Sequence, residues 1–131
     1  MKKVLLSLIT ILFIASCSKK DDVDPNLAAQ VEGTYKISSI ESDGQTVTLP
    51  QGGISGELKI SRIDDVSVDL WIALYNAGKI IEQDNSEVIL SKSGDRILLK
   101  FEGDEIGYVE GKKIVLEDNE DGERTKIIAS K

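Results

Sequence analysis

The stretch Val66-Ser67-Val68-Asp69-Leu70-Trp71-Ile72-Ala73-Leu74-Tyr75 restricts the fold more than any other part of the chain. Every even position is aliphatic, while the odd positions carry Ser, Asp, Trp, Ala and Tyr. Successive side chains of a strand point to opposite faces, so this alternation marks a half-buried β-strand. Leaving Asp69 unpaired in a core would be costly, so the even face points inward and Trp71 and Tyr75 point outward with Asp69. The same alternation runs through Glu57–Ser61, Lys113–Glu117 and, with Leu98 as an exception, Arg96–Phe101.

Turn signals separate these runs: Ser42-Asp43-Gly44, Asn76-Ala77-Gly78, Ser93-Gly94-Asp95, Gly103-Asp104, Glu110-Gly111 and Asp121-Gly122. Strands are expected over 33–41, 45–49, 56–63, 66–76, 79–83, 86–92, 96–102, 105–110, 112–118 and 123–130, with one or two of these merged or absent. Past Gln30 no segment keeps a helical period, and Leu27–Val31 could form one leading helical turn. Short connections make sequence neighbours into spatial neighbours, and a long meander removes its edges by closing on itself. The expected fold is all-β, a small antiparallel up-and-down barrel of about eight strands, with a two-sheet sandwich as the alternative. Its inward face should carry Leu58, Ile60, the even residues Val66 to Leu74, Val88, Leu90, Ile97, Leu99, Phe101, Ile106, Tyr108, Ile114 and Leu116. Large aliphatics on short strands should fill such a barrel and leave at most a shallow pocket near one end.

The residue types that are missing narrow the chemistry. The chain has no histidine, which removes Ser-His and Cys-His nucleophilic catalysis and His-ligated zinc. Acidic residues are too numerous for any one pair to mark a glycosidase. The reading is therefore of a protein that is not an enzyme and takes no cofactor or metal. Glu117-Asp118-Asn119-Glu120-Asp121-Gly122 begins like a calcium loop, but Ile128 stands where the closing Glu belongs, so it reads as an acidic hairpin turn. Gln51-Gly52-Gly53-Ile54-Ser55-Gly56 lacks a following Lys-Ser/Thr and precedes a strand, so it is no phosphate loop. The formal charge of −7 argues against nucleic-acid partners and against adsorption to anionic lipid.

Val31-Glu32-Gly33-Thr34-Tyr35-Lys36-Ile37 resembles the first strand of lipocalins and lipocalin-like proteins, with Tyr35 in place of the tryptophan of their Gly-x-Trp motif. The resemblance implies that an arginine of the last strand, here Arg124, packs over Tyr35 and closes the barrel base. It also implies a small hydrophobic ligand in the barrel mouth. By the same analogy the first long loop, with Gly52 and Gly53, is where a ligand gate would lie; the plainer reading is a flexible connection.

At the other extreme of the chain, Met1–Lys3 is basic and Val4–Ile14 almost wholly apolar. A helix over the apolar run spans roughly 16 Å, too short for a bilayer core of about 30 Å. This is the layout of a secretory signal peptide. Ile14-Ala15-Ser16-Cys17 resembles the lipobox of bacterial lipoproteins, in which the cysteine is acylated and the peptide before it removed. The resemblance implies a cleaved signal peptide over 1–16, a lipidated Cys17 and a flexible charged linker over 17–30. One lipocalin-like β domain over 31–131 would follow. The protein would sit in the bacterial cell envelope, at the outer membrane on its periplasmic side or the cell surface. Cys17 is the only cysteine, so no intramolecular disulfide helps the fold. Two functions fit: a membrane-anchored carrier or sensor of a small apolar ligand, or a non-catalytic interaction module. The second would use Trp71 and Tyr75 as a contact patch, unless a loop or the linker covers them.

Overall fold

The structure is a computed structural model and describes residues 26–131. The expected signal peptide, Cys17 and the first part of the expected linker lie outside the described residues. One short helix, α1 (Leu27–Val31), leads into nine strands. These are β1 (Gly33–Ser42), β2 (Gln45–Thr48), β3 (Ile54–Arg62), β4 (Ser67–Asn76), β5 (Lys79–Ser93), β6 (Arg96–Phe101), β7 (Asp104–Glu110), β8 (Lys113–Glu120) and β9 (Glu123–Ser130).

Strands β3 to β9 pair in sequence order, β1 pairs with β3, and β9 returns to β1, so eight strands close into an antiparallel barrel. A barrel, not a sandwich, is the architecture. The ninth strand, β2, takes up the edge of β1 that β3 leaves open. β1 meets β3 over Gly33–Lys36 and β2 over Ser39–Ser42. The segments expected at 79–83 and 86–92 form one strand, β5. Asp84 and Asn85 read locally as a break, but both pair across to Ile72 and Trp71 of β4, and the ladder overrides local preference.

The two barrel ends carry different turns. At one end Asp43-Gly44, Ala77-Gly78, Glu102-Gly103 and Asp121-Gly122 have positive φ at both positions, as type I′ hairpins require. This end is the mouth. At the other, the base, Gly94 and Gly111 alone carry the positive φ of their turns. The base is also where α1 packs. Leu27, Ala28 and Val31 are buried, and the Ala28 N–H donates to the Asp65 carbonyl at 3.0 Å. The domain thus starts inside what the sequence reads as linker.

Tyr35, Leu58, Val68, Val88, Leu99 and Ile114 are completely buried in one core. Burying side chains of this size stabilises by about 1.5–3 kcal/mol each. Three expected core positions differ. Val66 is 43% exposed, because it lies in the β3–β4 turn, where its N–H donates to Asp64 Oδ1 at 2.9 Å. Phe101 is 38% exposed at the mouth. Tyr108 points outward, with the Arg96 guanidinium 4.1 Å from its ring centroid, and Val109 is buried instead. The cause is a β-bulge: Leu99 pairs with Gly107 but Lys100 with Glu105, so Ile106 is an extra residue and the alternation inverts beyond it. Gly107 sits beside this bulge because a Cβ there would lie 2.1 Å from the Val115 carbonyl oxygen.

Candidate functional site: a cleft in the barrel mouth

The barrel wall is uneven in height. β6 pairs with β5 only over Ile89–Ser93, and β8 pairs with β7 only over Lys113–Leu116. The rest of β5 and of β8 rises past the short β6–β7 hairpin. Above that hairpin a cleft of about 500 Å³ opens toward the barrel axis. Its floor is apolar: Leu70 and Ile72 from β4, Phe101 and Ile106 from the β6–β7 hairpin, Leu116 from β8 and Ile127 from β9. Its upper wall is polar and acidic, with Asp84, Asn85, Ser86, Glu117, Asp118, Glu120 and Thr125.

The alternation of each strand explains this layering. Val88 and Leu90 of β5 are core residues, and two-residue steps toward the mouth bring Ser86 and then Asp84 onto the same face. On β8, Ile114 and Leu116 are followed by Asp118 and Glu120. One Asp84 oxygen, Oδ1, accepts from the Asn85 N–H at 2.9 Å. Sequence reasoning missed these acids because 117–122 reads as a turn and 84–85 as a break between two strands. The available signal was the period-two register of β5 and β8 continued past their last aliphatics. That same segment, which begins like a calcium loop, is the end of β8 and its hairpin turn.

A second cleft, of about 510 Å³, lies on the outer wall where β1 and β3 diverge, lined by Lys36, Ile37, Pro50, Gly56, Glu57 and Tyr75 among others. Gly56 lets Ile37 and Leu74 close the wall beneath it; a Cβ there would lie 2.8 Å from Ile37 Cδ1 and 2.9 Å from Leu74 Cδ2. Two of its polar groups are paired, with the Tyr75 hydroxyl donating to Glu57 Oε1 at 2.8 Å. That bond, then burial and the Glu57 charge, raise the Tyr75 phenol above its ordinary pKa. The mouth cleft is therefore the better candidate.

The other candidate residues take different places. Trp71 and Tyr75 are half-buried on the outer face of β4. Asp69 of the same face accepts from Asn85 Nδ2 at 3.2 Å. Gly52 and Gly53 line neither cleft. Their loop is pinned by reciprocal Gln51–Ile54 backbone bonds of 2.9 Å and by the Ala77 N–H donating to the Gly53 carbonyl at 3.0 Å. Leu49, at the head of the loop, is buried. These ties hold the loop in the conformation observed.

At the base, Tyr35 is the buried aromatic that the lipocalin resemblance implies, and its hydroxyl donates to the Val31 carbonyl at 2.7 Å. Burial pushes its pKa up to about 12. The cation over its ring is Lys131, not Arg124: Lys131 Nζ lies 4.9 Å from the centroid and donates to the Glu32 carbonyl at 2.9 Å. Arg124 pairs with Asn119 at the mouth end of β9, and its guanidinium lies 3.5 Å from Glu117 Oε2. At about 3.3 Å per strand residue, Arg124 is roughly 20 Å from the base.

No family model and no curated protein matches the chain in sequence. Among solved structures, it is similar to a redesigned β-barrel, with a TM-score of 0.53 and 15% sequence identity, over 82% of this chain and 96% of that one. The likeness carries the fold alone: the chain is a β-barrel.

Proposed function

We propose that this barrel is a lipid-anchored bacterial envelope protein that takes a small apolar ligand into its mouth cleft. The observation that carries the reading is the apolar floor of Leu70, Ile72, Phe101, Ile106, Leu116 and Ile127 at the open end of a filled barrel. Apolar clefts of this volume with a few polar groups around them are typical of small-molecule sites. The lipobox-like Ile14–Cys17 supports a diacylated anchor, and α1 at the base supports an orientation with the mouth turned away from the membrane. Two or more acyl chains hold a protein on a bilayer stably, where one does so only marginally. Native mass spectrometry of protein taken from its own host tests the ligand. A co-purifying small molecule that is lost in Phe101→Ala is the expected result, and its absence from both proteins refutes the carrier reading. Cys17→Ala is expected to leave the membrane fraction.

One observation favours a second reading, an interaction module. Tyr75 pairs with Ile80, which is 47% exposed, and the bulged Ile81 beside it is 56% exposed. With Trp71 these make an aromatic and aliphatic outer patch of the kind that contacts protein partners. A pull-down whose partners are unchanged by the double variant Trp71→Ala, Ile80→Ser would remove it.

A further inference from the structure

The mouth cleft has a charge preference that an apolar ligand alone does not explain. Asp84, Asp118 and Glu120 line it, from strands on opposite sides of the short β6–β7 hairpin. None of the three makes an ion pair among the described residues. No lysine or arginine lines the cleft. Two cations do lie close by on β9, and both are paired with Glu117, a fourth carboxylate of the lining. Arg124 and Lys126 are turned to the outer face by the alternation that sends Thr125 and Ile127 inward, and both meet Glu117, at 3.5 and 3.8 Å. All three carboxylates are exposed on the rim of the cleft, so their attraction for a cation is strongest at low salt.

Resting on the cleft reading above, we infer that the ligand is an amphiphilic cation. Its apolar body lies on Leu70, Ile72, Phe101, Ile106, Leu116 and Ile127. Its positive group lies among Asp84, Asp118 and Glu120. An anionic amphiphile with the same tail, such as a fatty acid, meets three uncompensated carboxylates and is rejected. A neutral one of equal tail gains the floor contacts only.

Three probes with one tail separate these terms: octyltrimethylammonium, octanol and octanoate. Each is titrated calorimetrically into the lipidated chain in nanodiscs at low salt, with empty nanodiscs as reference. Octyltrimethylammonium is expected to bind about tenfold tighter than octanol, and octanoate not measurably. The triple variant Asp84→Asn, Asp118→Asn, Glu120→Gln should bring the cation to the affinity of octanol. Phe101→Ala should weaken cation and alcohol by the same factor, because it alters the floor and not the charge. Equal affinity for all three probes, or tightest binding of octanoate, overturns the charge preference and leaves the apolar cleft standing. A preference for the cation that survives in the triple variant also overturns it. Binding of no probe above the empty nanodiscs overturns the cleft reading and this inference with it.

Discussion

At the base, an aromatic ring with no exposed surface is held by a hydrogen bond to α1 and covered by the Lys131 ammonium. At the mouth, part-exposed Phe101 belongs to an apolar floor, below a wall on which Asp84, Asp118 and Glu120 make no ion pair among the described residues. Both ends belong to one sheet and one core. They differ in how the chain continues past the last aliphatic of each strand. The base has α1 and Lys131 to cover it, whereas the mouth has hairpin tips and the loop from Leu49 to Gly53, with one of the hairpins too short to complete the wall. The contrast assigns stability to the base and binding to the mouth, and substitutions can test that division.

The largest effect is expected at the base. Tyr35→Ala should cost about 3–5 kcal/mol, the range for deleting a buried aromatic ring, read as a lower urea midpoint with unchanged slope. Phe101→Ala at the mouth should cost far less than a buried ring does and act mainly on binding. Equal losses at the two positions would break the contrast.

Next comes the titration of Tyr35. Its folded-state pKa of about 12 lies above the ordinary value of 10.0, so the folded protein favours the protonated phenol. The associated stability is fully present below pH 10 and is lost as pH rises through about 12, an effect of about 2–3 kcal/mol. Tyr75 shifts in the same direction, so the measurement is a comparison of wild type with Tyr35→Phe by urea unfolding at several alkaline pH values. Tyr35→Phe should lose about 1 kcal/mol near pH 8, from the missing bond to Val31, and show a shallower decline above pH 10.

Lys131→Met should destabilise by about 1 kcal/mol, since it removes the contact with the Tyr35 ring and the bond to the Glu32 carbonyl. Arg124→Met should change stability by no more than about 0.5 kcal/mol, because its pair with Glu117 is exposed. The reverse order would place the closing cation back at Arg124. The smallest effect lies in a mouth turn. Glu102 holds a φ of 51°, which asparagine adopts more readily, so Glu102→Asn should raise stability by about 0.5 kcal/mol in thermal unfolding.

The alternating run that forms β4 made an all-β meander legible, and the Gly-bearing turn signals located most of the hairpins. The Tyr35 end of the barrel was half legible: the ring could be identified as a core aromatic, but its partner was assigned to the wrong cation. Arg124 and Lys131 both follow strand-like sequence near the chain terminus, and only the registers of β8 and β9 distinguish the mouth end from the base end. The mouth acids were hidden differently. Asp118 and Glu120 sit in a segment whose composition says turn, yet pairing with β9 carries the strand through them.

What the chain determined by itself is local: period two, which reflects the pleat of a strand, and the positions where φ must turn positive. Barrel closure, the bulge at Ile106 that sends Tyr108 outward, and the placing of Asp84, Asp118 and Glu120 on one cleft were decided by tertiary structure. Each depends on which residues lie opposite one another across strands far apart in sequence. A single inserted residue in one strand reverses every facing beyond it, and no local window of sequence contains its partner.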